Sequence, residues 1–171
     1  MSPVTETDIA APAWDEALPG FPERIEALAR AAFAATGLAE RRPLAAIRLA
    51  DDAEIAALNA DWRGKSGPTN VLSFPSGALE DASGLPPDLG VLPLGDVVLA
   101  FETVAREARA QRKALGDHAA HLVLHGLLHL IGYDHGTDPE AREMEAMEVE
   151  LLTRFGIADP YAARREDLAH G

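Results

Sequence analysis

Apolar residues return at intervals of three and four from Phe21 onward. Ile25, Leu28, Ala29, Ala32 and Phe33 make one face of FPERIEALARAAFAATG, and Gly37 supplies a stop. The spacing predicts a helix there. A short strand follows, opened by Pro43 and carried by Leu44, Ile47 and Leu49. DDAEIAALNADW predicts a second helix whose acidic start suits the helix dipole. The runs NVLSF (70–74) and DVVLA (96–100) predict two more strands. Helices are then expected over 101 to about 115, from about 117 to 131 with Gly132 as stop, and from about 138 to 155.

Outside these elements the pattern changes. Residues 1–20 carry Pro3, Pro12, Pro19 and Gly20 and few bulky apolar groups. They are expected to form a partly ordered leader, with Trp14 as the group that would dock it. One domain is expected over 21–160, with a tail at 161–171. Between the two later strands, SGALEDASGLPPDLGVLPLG (76–95) is rich in Gly and Pro. Such a connection is functional or mobile, a tolerated insertion, or the holder of a short hairpin.

Composition narrows the picture. The 171 residues, 47% of them hydrophobic, suffice for one core. A net charge of −13 excludes an overall cationic clamp on nucleic acid, so any phosphate contact must be local. The absence of cysteine excludes disulfides, thiolate metal knuckles and cysteine nucleophiles, and fits a reducing cytoplasm. No secretory pattern and no apolar run near the ~20 residues of a membrane span is present. Charge is segregated along the chain. Arg106, Arg109, Arg112 and Lys113 gather on one helix, a candidate phosphate track if they meet a second basic loop, while six acids and one base fall between Asp138 and Glu150.

The chemistry concentrates between these two helices, where five of the six histidines lie: His118, His121, His125, His129 and His135. At ~100° per residue the first four fall within an arc of roughly 80° on one helix. Val123, Leu124, Leu127, Leu130 and Ile131 take the other face. His125 and His129, one turn apart, can aim at a common point, and the turn after Gly132 delivers His135 as a third donor. Three imidazoles leave a fourth position for water, the pattern of a catalytic rather than a structural ion. Zinc is the natural choice, although imidazole also suits nickel, copper or iron. His118, at the helix start, is expected to be solvated. His121 is placed to orient a ligand, touch substrate or line the cleft.

HGLLHLIGYDH (125–135) has the spacing of the zincin-like metzincin signature H-E-x-x-H-x-x-G-x-x-H, with one change. Gly126 stands where the glutamate base would be, which disfavours a peptidase or similar hydrolase. With LNADWRGKSGPTNVLSFP (58–75) and LGDVVLA (94–100), this block resembles the YbeY family of bacterial endoribonucleases and rRNA maturation factors. The resemblance runs from about residue 44 to 155. It implies an α+β fold, a small mixed sheet packed with helices and a metal-site helix at the cleft. It implies His125, His129 and His135 as ligands of one zinc ion, with His125 and Arg63 catalytic; Arg63, Lys65 and His121 are the candidates for touching substrate.

The implied activity is metal-dependent cleavage of single-stranded RNA in 16S rRNA 3′-end maturation and ribosome quality control. The implied partners are the rRNA precursor, the small ribosomal subunit and assembly factors such as an Era-type GTPase, with no membrane and no DNA. Arg63 has independent support, since a guanidinium on a loop suits phosphate and a developing phosphorane charge. Attack by water and attack by the RNA 2′-hydroxyl are both compatible with these residues. The competing reading is a ribosome-assembly factor with a structural metal.

Overall fold

Four apolar segments pair into one sheet. In the computed structural model, which describes residues 2–79 and 90–162, the strands are β1 (Thr5–Ile9), β2 (Pro43–Ala50), β3 (Val71–Pro75) and β4 (Leu92–Ala100). Their order is β1-β2-β4-β3. β1, β2 and β4 run parallel, and β3 lies antiparallel on β4 at the edge. The helices are α1 (Ala13–Ala17), α2 (Phe21–Ala35), α3 (Asp52–Arg63), α4 (Phe101–Ala110), α5 (Leu115–Ile131) and α6 (Asp138–Arg154). The expected small mixed sheet packed with helices is what forms.

Strand alternation divides the interior in two. Val97 and Leu99 of β4 enter the larger core with α2, α5 and α6, while Val98 and Ala100 join Ile55 and Leu72 in a smaller core with α3. A strand buried on both faces reads as the unbroken run VVLA, which explains its legibility. Local signals set the helix ends. Asp51 caps α3 by accepting from the Glu54 N–H at 2.8 Å, and Thr137 caps α6 by accepting from the Glu140 N–H at 3.3 Å.

Two expectations are corrected. The leader is part of the fold: β1 pairs with β2 from Thr5↔Ala45 to Ile9↔Leu49. Trp14 is fully buried, its Nε1 donates to the Ala50 carbonyl at 2.8 Å, and its ring stacks on Phe21. Burying so large a side chain stabilises by about 1.5–3 kcal/mol. The strand is hard to read because it is an edge, with Glu6 and Asp8 in TETDI. Glu26 of α2 ties it down, accepting from the backbone N–H groups of Val4 and Thr5 and from the Thr5 hydroxyl. Burial pushes the Glu26 carboxyl up, but those bonds and Arg30 outweigh it and hold it below its ordinary range.

The helix expected over 101–115 is the second correction. It stops at Ala110, and Arg112 takes a left-handed φ of +56° in the turn before α5. No glycine or proline between 110 and 115 marks this turn, so the sequence conceals the break. One residue past the expected domain end at 160 also bears on the site. Tyr161 reaches back to α5 and α6, as shown below. Residues 92–95 of the 76–95 connection become the start of β4, while residues 80–89 lie outside the described residues, as does most of the expected tail.

Candidate metal centre

Leu124, Leu127 and Leu128 are fully buried in the larger core, which fixes how α5 is turned. His125 and His129 therefore face away from it, half-buried at a cleft. The helix ends at Gly132, whose φ of +116° is cheap only for glycine, and whose N–H bonds back to the carbonyls of Leu128 and His129 at 3.1 Å. The chain then returns through Tyr133 and Asp134. One ring nitrogen from each of His125, His129 and His135 lies within 4.8 Å of the others.

Hydrogen bonds determine which nitrogens point inward. His129 Nδ1 lies 3.0 Å from the Tyr133 carbonyl oxygen. A carbonyl can only accept, so Nδ1 carries the proton. His125 Nδ1 lies 2.7 Å from Oε1 of Glu148, a side chain with no exposure at all. Burial pushes the Glu148 carboxyl up, yet His121, His125 and Tyr161 together outweigh it and hold its pKa at about 2. Glu148 is thus a carboxylate, and His125 Nδ1 is also a donor.

Both Nε2 atoms then carry lone pairs, and they face each other at 3.1 Å. Lone pairs that close repel unless a cation lies against both. Burial, with the neighbouring His125 and His135, lowers the pKa of His129 and favours its neutral, ligating form. Three convergent imidazoles, two of them oriented from behind by a carboxylate and a carbonyl, fit a transition-metal ion.

The cleft has a volume of about 560 Å³. Its lining brings Arg63, from the end of α3, together with His125, His129 and His135, and β3 adds Ser73. Ser73 Oγ donates to the Gly126 carbonyl at 3.2 Å, so β3 lies close against α5. Asn70 also lines the cleft, its Nδ2 donating to Glu107 at 3.1 Å. Lys65, Arg106, Arg109 and Arg112 are exposed and outside the lining, and Lys113, half-buried, is outside it too. The proposed basic track therefore does not meet Arg63 at the cleft.

One histidine departs from expectation, and for a second the structure favours one of its expected places. His118 is buried, not solvated, because α4 covers it: its Nε2 donates to Glu107 Oε1 at 2.9 Å. Burial lowers its pKa despite that carboxylate. His121 lies outside the cleft lining. Its Nε2 is 3.2 Å from the Tyr161 hydroxyl and 3.6 Å from Glu148. Because Tyr161 donates its proton to Glu148 Oε2, its oxygen accepts from His121. His121 thus stands behind His125 rather than before a substrate.

Sequence alone does not single out Glu148, one acid among six in an acidic helix. The signal was its spacing. Met144, Glu148, Leu151 and Leu152 share one buried stripe of α6, and an acid on such a stripe needs a partner. Gly126 was read as a missing base; the structure adds why no side chain belongs there. A Cβ would lie 2.6 Å from Val97 Cγ1 and 3.1 Å from Ser73 Oγ.

A family profile described as Endoribonuclease YbeY matches residues 17–156. A protein named Endoribonuclease YbeY from Paramagnetospirillum magneticum is 54% identical over 154 residues, covering 90% of this chain and 93% of its own. Its namesake from Sphingopyxis alaskensis is 51% identical over 165 residues, covering 92% and 96%. The solution structure of TM1509 from Thermotoga maritima covers 98% of this chain and 95% of its own, with a TM-score of 0.56 and 21% identity, a likeness of fold.

Proposed function

We propose, from the premise that the chain belongs to the YbeY family, that it is an endoribonuclease cutting single-stranded RNA at the three-histidine cleft. The observation that carries this reading is the convergence of His125, His129, His135 and Arg63 on one open cleft. A closed four-protein-ligand site would instead suit a structural ion.

The three histidines would hold one zinc ion. When bound, zinc supplies Lewis-acid chemistry, acidifying water and drawing charge from a phosphoryl oxygen. The chain's own groups do the rest. Glu148 and the Tyr133 carbonyl keep the two Nδ1 protons in place, so both Nε2 atoms remain donors of lone pairs. Arg63 offers a fork of N–H groups to the non-bridging oxygens as charge builds at phosphorus. The HGLLHLIGYDH helix and turn make this a zincin-like centre without the peptidase carboxylate, since Gly126 leaves no room for one.

The biological setting we assign is 16S rRNA 3′-end maturation and ribosome quality control in the cytoplasm. The partners are the rRNA precursor, the small ribosomal subunit and an Era-type GTPase. A chain of net charge −13 with one arginine at its cleft binds RNA weakly by itself, which suits delivery by such partners. No helix among the described residues is long and apolar enough to cross a membrane.

Arg63→Ala tests the reading. Arg63 is exposed, so metal content and melting temperature should match wild type. Cleavage of a defined single-stranded RNA should fall about 100- to 1000-fold, the loss typical of removing one donor to developing charge. Unchanged cleavage would contradict the role of Arg63. Metal binding without any cleavage by wild type would favour the assembly factor with a structural ion.

A further inference from the structure

Beside Arg63 stands a tryptophan that the fold leaves in water. Trp62 is 72% exposed, and among the described residues the only other exposed large apolar side chain is Val91, at 43%. Trp14, by contrast, is fully buried. Trp62 occupies the last turn of α3, and the residue after it, Arg63, lines the cleft. Its ring meets Phe74 edge-on, with centroids 6.3 Å apart and an interplanar angle of 64°. Phe74 packs on the smaller core and lies in β3 between Ser73 and Pro75, which both line the cleft. Phe74 itself faces the smaller core, away from Ser73, so the indole is steadied by one neighbour there, stands one residue before the cleft-lining Arg63, and keeps ring surface free.

Resting on the RNA reading above, we propose that Trp62 is a stacking shelf for one unpaired nucleobase of the strand whose phosphate Arg63 engages. Phosphate and base of a nucleotide are linked through one sugar, so groups that recognise them belong on neighbouring side chains. Arg63, the next residue along the chain, supplies positive charge, and the indole supplies a π-face. A duplex hides its base faces in the stack, whereas a single strand can turn one onto an aromatic ring. The shelf thus gives this cleft a physical means of preferring single strands without reading sequence.

The test uses the full chain and two probes: a short 2′-O-methyl oligoadenylate, which stays uncut, and a ribose-phosphate oligomer of equal length without bases. Binding is read by anisotropy of a label on each probe. Trp62→Ala should raise Kd for oligoadenylate about 5- to 150-fold, the range of one base–aromatic stack, and leave Kd for the abasic oligomer unchanged. Trp62→Phe, which keeps a ring, should recover most of the difference and guards against a folding defect. Oligoadenylate should also quench wild-type indole emission, a quench that disappears in Trp62→Ala because the remaining Trp14 is buried.

Equal oligoadenylate affinity in wild type and Trp62→Ala, with both probes weakened by Arg63→Ala, would overturn the shelf and leave the RNA reading standing. No binding of either probe by wild type would overturn both.

Discussion

Replacing Glu148 by alanine should destabilise the metal-free protein by about 3–5 kcal/mol and weaken its hold on zinc about 10- to 100-fold. The side chain is wholly buried, and it accepts from His125 Nδ1 and from the Tyr161 hydroxyl while His121 lies at ion-pair distance. Its removal strands those donors in the interior, where each unpaired polar group carries a penalty. It also frees the His125 ring to turn or to shift its proton to Nε2, the atom that must face the ion.

Glu148→Gln separates charge from shape, and its pH dependence has a definite sign. The carboxyl titrates at about 2 in the fold against an ordinary 4.5, so its contribution is complete above the higher value and is lost as pH falls toward the lower. Urea unfolding of chelator-treated samples should show wild type more stable than Glu148→Gln at neutral pH. The gap should narrow as pH falls through that window. Zinc affinity, read by competition with a chromophoric chelator, should drop in both variants. Wild-type zinc affinity in Glu148→Ala would show that the carboxylate does not orient the site.

Gly126→Glu restores the letter that the metzincin signature has and this chain lacks. It should yield no peptidase and should destabilise the fold by more than about 3 kcal/mol, because overpacking and burial of an unpaired charge add. Gly126 is buried where α5 lies against the sheet, and the contact at issue is with Val97, a fully buried residue of the central strand β4. Valine is stiff at χ1 and has no room to swing aside.

Gly126→Ala isolates the Cβ. In an open helix that change stabilises by about 1 kcal/mol. Here the clash works against it, at about 1–3 kcal/mol. Thermal and urea denaturation should find Gly126→Ala no more stable than wild type and Gly126→Glu far less stable. A gain in stability for Gly126→Ala would show that the helix stands off from β4.

What the sequence disclosed follows from where its signals are local. The histidine spacing on one helix, the Gly132 stop and the return to His135 are short-range facts, and the structure brings those three rings together. α2 and the run VVLA were legible because one or both of their faces are consistently apolar, and α3 because its acidic start marks a helix N-terminus. β1 was not, since an edge strand tolerates Glu6 and Asp8 and is specified by its partners β2 and Glu26.

The groups behind the metal site were hidden for a similar reason. Glu148 and Tyr161 reach His125 and His121 from elements far along the chain, and only packing brings them together. His118 was misplaced because the cover it receives from Glu107 is tertiary. Asn70 and Glu107, likewise remote in sequence, meet only at the cleft wall.

The most direct measurement is cleavage of a defined single-stranded RNA by wild type and by His125→Ala, purified identically and checked for metal content and folding. The account predicts cleavage by wild type, its loss when the metal is chelated and its return on adding zinc, and none of these in His125→Ala. Equal cleavage by the two proteins, untouched by chelation, would contradict it.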